Sequence, residues 1–125
     1  MRVKHFRELE VWKKAHGLFI DLINDIAKFP KCATANVITS QIVRSVGSIS
    51  SNIAEGFNAL STKEYVHYLD IAKRSTAESE NWFWKLVDIG YMDREIASKR
   101  IDTCTEITKM LHGLMRRLKS LKSSN

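Results

Sequence analysis

The segment between residues 36 and 57 constrains the fold of this chain more than any other part of the sequence. Apolar side chains recur there at steps of three and four residues, the spacing of one buried face of an α-helix: Ile38, Ile42, Val46, Ile49 and Ile53. The rest of the segment is mostly Ser, Gly, Ala, Thr and Asn, and its only charged residues are Arg44 and Glu55, although 27% of the chain is charged. A helix with one side in water normally carries Lys and Glu on that side. The pattern therefore predicts protein contacts on more than one side of this helix and points to an oligomer.

Four helical segments are predicted along the chain, at about residues 8–29, 34–56, 62–89 and 94–121. Pro30 ends the first, because proline disfavours helical geometry in the residue before it. Ser61 to Glu64 (STKE) has the form of a capping box at the start of the third helix, and Gly90 can end that helix in a left-handed conformation. Asp93 can cap the fourth helix.

The loops between the predicted helices decide their arrangement. The 125 residues fit one domain large enough to bury a core, and they contain no strand-like alternation bounded by turns. Short loops place consecutive helices side by side and antiparallel. The predicted fold is one all-α domain over residues 1–125, an antiparallel up-down-up-down four-helix bundle.

Composition excludes several classes of protein. With one proline and five glycines, a disordered chain is not expected. No apolar run reaches the roughly 18–20 residues of a membrane span, and the first ten residues lack the apolar segment of a secretory signal. Cys32 and Cys104 are isolated, so no disulfide framework is implied. We expect a cytoplasmic protein with reduced thiols and no membrane partner.

Positive charge is concentrated at the two ends of the chain, within a net charge of +6. Residues 1–14 hold five Lys/Arg against two Glu, and residues 109–125 hold five Lys/Arg and no acid. In an up-down-up-down bundle both segments lie at one end, where they form a patch of roughly +8. The patch is either a set of solvated helix ends or a surface for nucleic-acid phosphates or an acidic protein. The candidate nucleic-acid-binding residues are Arg2, Lys4, Arg7, Lys13, Lys14, Arg116, Arg117, Lys119 and Lys122.

No catalytic, metal or cofactor site is predicted. Glu64 and His67 match the Glu-x-x-His element of di-iron bundles, but the second pair that such a site needs is missing. The histidines and cysteines have no zinc-ligand spacing, and no Gly-rich phosphate loop is present. A Ser/His/Asp triad stays open as an alternative, because its members need not be sequential. An enzyme is not expected.

Three consecutive aromatic residues, Trp82, Phe83 and Trp84, cannot all enter one core, because neighbours on a helix point about 100° apart. Phe83 or Trp82 is predicted to be buried. Trp84, which precedes Lys85, is predicted to contact a partner or to stack on nucleic-acid bases.

A row of polar side chains accompanies the isoleucine face of the second helix, and the third helix carries a comparable row. Its members are Gln41, Arg44, Ser48, Asn52 and Glu55, with Ser75 and Glu78 on the third helix. Small hydroxyl residues allow helices to approach closely, and buried amides or charges need partners. We expect a hydrogen-bonded seam within the bundle or between subunits, and Asn52→Leu or Glu55→Ala is then expected to alter assembly or stability.

Several motifs together resemble one known family. They are FRELEVWKKA from residue 6, the Phe29-Pro30 stop, QIVRSVGSISSNIAEG from residue 41, STKEY from residue 61, LDIAKRSTAESE from residue 69 and Gly90-Tyr91. The chain resembles, over about residues 6–118, the bacterial four-helix-bundle proteins encoded in intervening sequences of large-subunit ribosomal RNA genes. It is also similar to the accessory variability determinant proteins of diversity-generating retroelements. The element Asn52 to Gly56 is the most specific, and the departures at Ser45, Val46 and Arg74 are mild.

The resemblance implies a homo-oligomeric ring, with a pentamer as the leading expectation, and it implies no catalytic residues. For the retroelement relatives it implies binding of structured RNA or DNA, and of a reverse transcriptase, through a basic surface. The function expected is therefore that of a non-enzymatic, oligomeric accessory protein that binds RNA or DNA. The alternative is a protein–protein interaction scaffold whose basic ends only aid solubility.

Overall fold

The computed structural model describes residues 2–124, with the side chains of residues 2–121. Within this range the chain forms one short 3-10 turn, Phe6–Glu8, and four α-helices: α1, Glu10–Ile26; α2, Ala33–Phe57; α3, Thr62–Asp88; and α4, Arg94–Ser124. In the described residues each helix contacts its two neighbours, in the order α1, α2, α3, α4 and back to α1, and no diagonal pair is in contact. The predicted all-α four-helix bundle is confirmed.

The first helix is shorter than the predicted segment at both ends. It begins at Glu10 because Phe6–Glu8 forms a separate turn and Leu9 is extended, with φ −71° and ψ 128°. It ends at Ile26 because the backbone tightens there: Lys28 N donates to Asp25 O and Phe29 N donates to Ile26 O. The fourth helix continues to Ser124, three residues beyond the predicted end at 121.

The ends of the helices have local causes, and some of these were predicted from the sequence. The Ser61 hydroxyl caps α3 by accepting from Glu64 N at 3.1 Å. Gly90 follows α3 with φ +79°, a left-handed conformation that glycine adopts without steric cost. Asp93 stands at the position that precedes α4, and its carbonyl accepts from Ala97 N at 3.0 Å. The glutamate's return bond to the Ser61 backbone, the second half of the predicted capping box, is not formed.

The core runs along the axis of the bundle, where each helix contributes the residues that recur at three- and four-residue steps. Its largest fully buried side chains are Phe83, Leu18, Leu22, Ile42, Ile49, Ile53, Leu69, Leu86, Ile107 and Leu111. Burying each of these stabilises the fold by roughly 1.5–3 kcal/mol before entropy is counted. The core therefore fixes which side of every helix is left for other contacts.

Helices α2 and α3 approach closely because small residues line their contact. Ser45 and Ser79 are completely buried, and Ser75 is 9% exposed. At the end of α2, Gly56 lies so near α3 that a Cβ built on it would be 2.9 Å from Tyr65 Cδ1 and 3.2 Å from Tyr65 O. The charge-poor composition of α2 is thus explained in part by contacts within one chain.

Candidate nucleic-acid interface

The N-terminal segment lies against the second half of α4, at one end of the bundle. A shallow hollow between them is lined by residues 3 and 8–11 from one side and by Lys109, Met110, Gly113, Leu114 and Arg117 from the other. Since α1 and α4 are antiparallel neighbours, the two basic segments of the chain come together at this end, together with the start of α3.

Glu8 holds the N-terminal segment in place. Its carboxylate accepts hydrogen bonds from Lys4 N at 2.9 Å and His5 N at 2.8 Å, while His5 Nδ1 accepts from Arg7 N at 3.2 Å. The Arg7 guanidinium lies 5.3 Å from the centre of the Trp12 ring, within the range of a cation–π contact. The side chains of Arg2, Lys4 and Arg7 are exposed.

Two of the candidate cations, Lys13 and Lys14, are paired with carboxylates. Lys13 Nζ lies 3.4 Å from Glu10 Oε1, and Lys14 forms an ion pair with Glu106 across α1 and α4. Both are therefore less available to a phosphate than the sequence alone suggested. Exposed pairs of this kind contribute little to stability, about 0–1 kcal/mol each.

The cations of α4 divide between two sides of the helix. Lys109 and Arg117 line the hollow beside the N-terminal segment, and Arg117 also faces Tyr65, where its charge partly offsets the rise that burial causes in the pKa of that phenol. Arg116 and Lys119 instead face α3, in a groove that also contains His112. The side chain of Lys122 lies outside the described residues.

The groove between α3 and α4 contains basic residues that the sequence did not single out, Lys63 and Lys73. Both come from α3, in the middle of the chain, where acids and bases nearly balance. A count of charge along the chain therefore does not identify these two lysines. The basic side of the groove on α4 could have been found from the sequence, because steps of four and three residues place His112, Arg116 and Lys119 on one face of the helix.

The predicted polar seam is formed in part, and inside one chain. Arg44 pairs with Glu78, and Ser48 Oγ lies 2.9 Å from Ser75 Oγ. Asn52 Nδ2 donates to Ser48 O at 2.8 Å and to Ser48 Oγ at 2.9 Å. Gln41 and Glu55, in contrast, are exposed, and their side chains form no hydrogen bond or ion pair with any described residue.

The aromatic residues of α3 follow the predicted pattern. Phe83 is completely buried, Trp82 is half-buried, and Trp84 is 45% exposed. The indole Nε1 of Trp84 donates to Glu80 Oε2 at 3.3 Å. Trp84 lines a further hollow between α3 and α4 with Val87, Arg94, Ala97, Ser98 and Ile101.

One strip of surface along α1 and α2 is uncharged. The charged residues of α1 are Glu10, Lys13 and Lys14 near its start and Asp21 and Asp25, which face Arg100 of α4. The exposed positions Gly17, Ile20 and Ile23 carry no charge. Ile20 and Ile23 are 46% and 44% exposed. On the neighbouring side of α2, Gly47 lies beside Phe19, whose ring carbon Cε1 would be 3.3 Å from an added Cβ. We call this uncharged surface the α1–α2 face.

No candidate metal or membrane site is found in the described part of the chain. Residues 2–124 contain no group of three or more His, Cys, Asp or Glu side chains placed to hold a metal ion, and Glu64 and His67 are both exposed. No helix in this range is long and apolar enough to cross a bilayer. Among these residues, every buried side-chain nitrogen or oxygen has a hydrogen-bond partner.

These features define a small antiparallel four-helix-bundle protein with a cationic end and an uncharged flank. The profile of the 23S rRNA-intervening sequence proteins matches residues 7–113. The chain therefore belongs to the 23S rRNA-intervening sequence protein family, as the resemblance predicted.

A solved structure supports the assignment. The chain is similar to a protein of unknown function from the S23 ribosomal protein family of Bacteroides thetaiotaomicron, with 28% sequence identity and a TM-score of 0.75. The match covers 84% of this chain and 97% of the other. A comparison with curated proteins found no match. Neither the family description nor that of the solved structure names an enzyme.

Proposed function

We propose that this protein is a non-enzymatic, cytoplasmic accessory protein that assembles into a ring, with a pentamer expected, and binds RNA or DNA through its basic end. The observation that carries the proposal is the meeting of two basic segments at one end of the bundle. The exposed Arg2, Lys4 and Arg7 lie there beside the half of α4 that holds five basic residues and no acid. Lysine and arginine that neutralise phosphates release counterions, so binding of this kind is strong at low salt and not sequence-specific.

Assembly would multiply this charge. Five copies of one basic end on a ring would attract a polyanion far more strongly than one copy, because each phosphate-bearing strand could contact several subunits. Family membership is consistent with a ribosomal RNA context, which makes structured RNA the first ligand to test. A reverse transcriptase is a partner to consider only if the gene proves to lie in a retroelement.

The α1–α2 face is the best candidate for the contact between subunits. It exposes two isoleucines beside small side chains, and none of its residues needs a charged partner. Contacts between subunits are typically depleted of charge at their centre. Molar mass in solution tests this step: Ile20→Glu should yield smaller particles, whereas Ala77→Glu, an exposed position on α3, should leave the molar mass unchanged.

RNA binding is tested by a salt series on the assembled protein. A labelled structured RNA should bind at about 50 mM salt and weaken steeply toward 200 mM. The double variant Arg116→Glu/Arg117→Glu should weaken binding and flatten the salt dependence. The matched control, Lys28→Glu/Lys31→Glu, reverses two cations at the opposite end and should have a much smaller effect.

The alternative function is a protein-interaction scaffold. It is favoured by the exposed apolar residues of the α1–α2 face and by Gln41 and Glu55, which have no partner within the described chain. Absence of RNA binding at about 50 mM salt, or binding that is indifferent to charge reversal at Arg116 and Arg117, would support the scaffold and reject the nucleic-acid role.

A further inference from the structure

Three hollows lie along a single groove, the one between α3 and α4. The first is lined by Thr62, Lys63, Val66 and Lys119, and the second by Val66, Asp70, Lys73, His112, Met115, Arg116 and Lys119. The third lies farther along both helices, where Trp84 meets Arg94 and Ile101. We refer to the whole as the α3–α4 groove. It is on the side of the bundle opposite to the α1–α2 face.

The two parts of the groove differ in chemistry. The part near the chain ends has the basic side chains of Lys63, Lys73, Arg116 and Lys119 against one acid, Asp70. That acid is already compensated, because it pairs with Lys73 at 3.5 Å and with Arg74 at 2.9 Å. The far part has the exposed indole of Trp84, oriented by its hydrogen bond to Glu80. The first part suits phosphates and the second suits the face of a base.

We propose that the α3–α4 groove binds single-stranded nucleic acid, with phosphates at the Lys63–Arg116–Lys119 end and a base stacked on Trp84. An indole stacks only on a base whose face is free, and a duplex hides the faces of its bases in the helical stack. Along α3, Trp84 is eleven residues from Lys73 and 21 residues from Lys63, which corresponds to about 16 Å and about 31 Å at 1.5 Å per residue. A few nucleotides of an unstacked strand span these distances.

The charges beside Trp84 fit this orientation. Glu80 accepts the indole N–H and Arg94 lines the same hollow, so this part of the groove has one charge of each sign, whereas the part near Arg116 has an excess of cations. Phosphates are thereby favoured at the end near Arg116, and the base at the end near Trp84. This inference rests on the proposed function and adds to it the strand type and the surface.

The test measures the affinity of the full-length protein for a labelled single-stranded oligouridine and for an RNA duplex of the same length. Trp84→Ala should weaken single-strand binding about tenfold or more, since loss of one stacked base has an effect of that order. It should leave duplex binding unchanged. Trp84→Phe should retain most of the affinity, because a phenyl ring still stacks. Arg116→Glu/Lys119→Glu should weaken binding of both RNAs and reduce the salt dependence.

Two controls separate stacking from misfolding. Asn81→Ala changes another exposed position on α3 and should leave binding unaltered. Trp84 is exposed, so Trp84→Ala should unfold at the same denaturant concentration as the parent protein.

The failures of the two proposals are distinguishable. If Trp84→Ala binds single strands as well as the parent protein while Arg116→Glu/Lys119→Glu does not, the groove proposal is overturned and the general function stands. Tighter binding of the duplex than of the single strand would likewise overturn it. If neither RNA binds at low salt, the proposed function itself is wrong.

Discussion

Ser79 Oγ donates a hydrogen bond to Ser45 Oγ at 3.1 Å, and both side chains are completely buried between α3 and α2. Each hydroxyl also lies within hydrogen-bonding distance of a carbonyl of its own helix: Ser45 Oγ is 3.2 Å from Ile42 O and Ser79 Oγ is 2.8 Å from Ser75 O. The single proton of Ser79 is shared between Ser45 Oγ and Ser75 O, and both buried hydroxyls have partners. This contact sets the distance between the two helices.

The first prediction concerns this contact. Ser45→Leu should destabilise the fold by about 1–3 kcal/mol, because the larger side chain has no room between the helices. Ser79→Ala should lower the free energy of unfolding by less, about 1 kcal/mol, since Ser45 keeps its bond to Ile42 O. Denaturant unfolding measures both. Ser51→Leu, an exposed position on the same helix, is the matched control, and equal stability of the two leucine variants would contradict the prediction.

A second prediction concerns the link between α1 and α4. Arg100 binds Asp25 through two parallel bonds, Nε to Oδ2 at 2.8 Å and Nη2 to Oδ1 at 2.9 Å, and the two side chains are 17% and 12% exposed. Arg100→Ala should destabilise the protein by about 2 kcal/mol, between the values for exposed and for buried pairs. Arg100→Lys should recover less than half of this, because an ammonium lacks the planar fork. Full recovery by lysine would show that charge alone suffices. Lys99→Ala provides the exposed control.

Two glycines in helices should respond in opposite directions to alanine. Gly56→Ala should destabilise the protein by about 1–3 kcal/mol, because its Cβ would meet both the ring and the backbone carbonyl of Tyr65. Gly113→Ala should stabilise it by about 0.5–1 kcal/mol, because the nearest atom to its Cβ is the flexible end of Arg117 at 3.6 Å. Thermal and denaturant unfolding at one protein concentration measure both changes. A stabilising Gly56→Ala would mean that the α2–α3 turn can open without cost.

The two thiols should differ sharply in reactivity. Burial, assisted by the charge of Glu80, raises the pKa of Cys104 to about 12, whereas Cys32 is exposed. Only the thiolate reacts with alkylating reagents. Native protein should therefore react at one thiol, and a second should become reactive on denaturation. Cys32→Ser should abolish the reaction in the native state. Fast labelling of Cys104 in the folded protein would contradict the burial of this part of α4.

The same thiol predicts a loss of stability at high pH. The pKa of Cys104 is higher in the folded protein, about 12, than the ordinary thiol value of 9.0, so between these values the unfolded chain releases a proton that the folded chain keeps. The contribution of this thiol to the free energy of unfolding is complete below pH 9 and is lost as the pH rises toward 12. Lysines and tyrosines titrate in the same range, so the measurement compares the parent protein with Cys104→Ala. The difference in unfolding free energy between them should shrink as the pH rises, and a constant difference would contradict the assignment.

Particular residues show how far sequence reasoning reached. The isoleucine stripe of α2, the Ser61 cap and the left-handed Gly90 were readable because helix periodicity and capping depend on neighbours within a few residues. The shortened α1 was not, because Glu8 folds back onto Lys4 and His5 and forms a turn of its own. The sequence predicted some of the residues that form the polar seam, but only the three-dimensional structure shows that Arg44 pairs with Glu78.

The candidate interface shows the same division. Sequence located the two basic ends and the exposed Trp84, because charge and aromatic content are visible along the chain. The sequence did not show that Lys13 and Lys14 are paired with carboxylates. Nor did it show that two lysines of α3 lie in one groove with Arg116 and Lys119 of α4; they are Lys63 and Lys73. These contacts join residues far apart in the chain, and their partners depend on how the helices are rotated about their own axes.

The sequence by itself determined the four helices, their order and the faces that enter the core, because apolar spacing and helix ends are local properties. The tertiary structure decided how the uncharged surface of α2 is used. Part of it packs on α3 through Ser45 and Ser48, and part is left on the outside, beside α1. The physical reason is that each helix has one rotation that buries its largest apolar side chains, and that rotation determines which small residues meet another helix and which remain exposed.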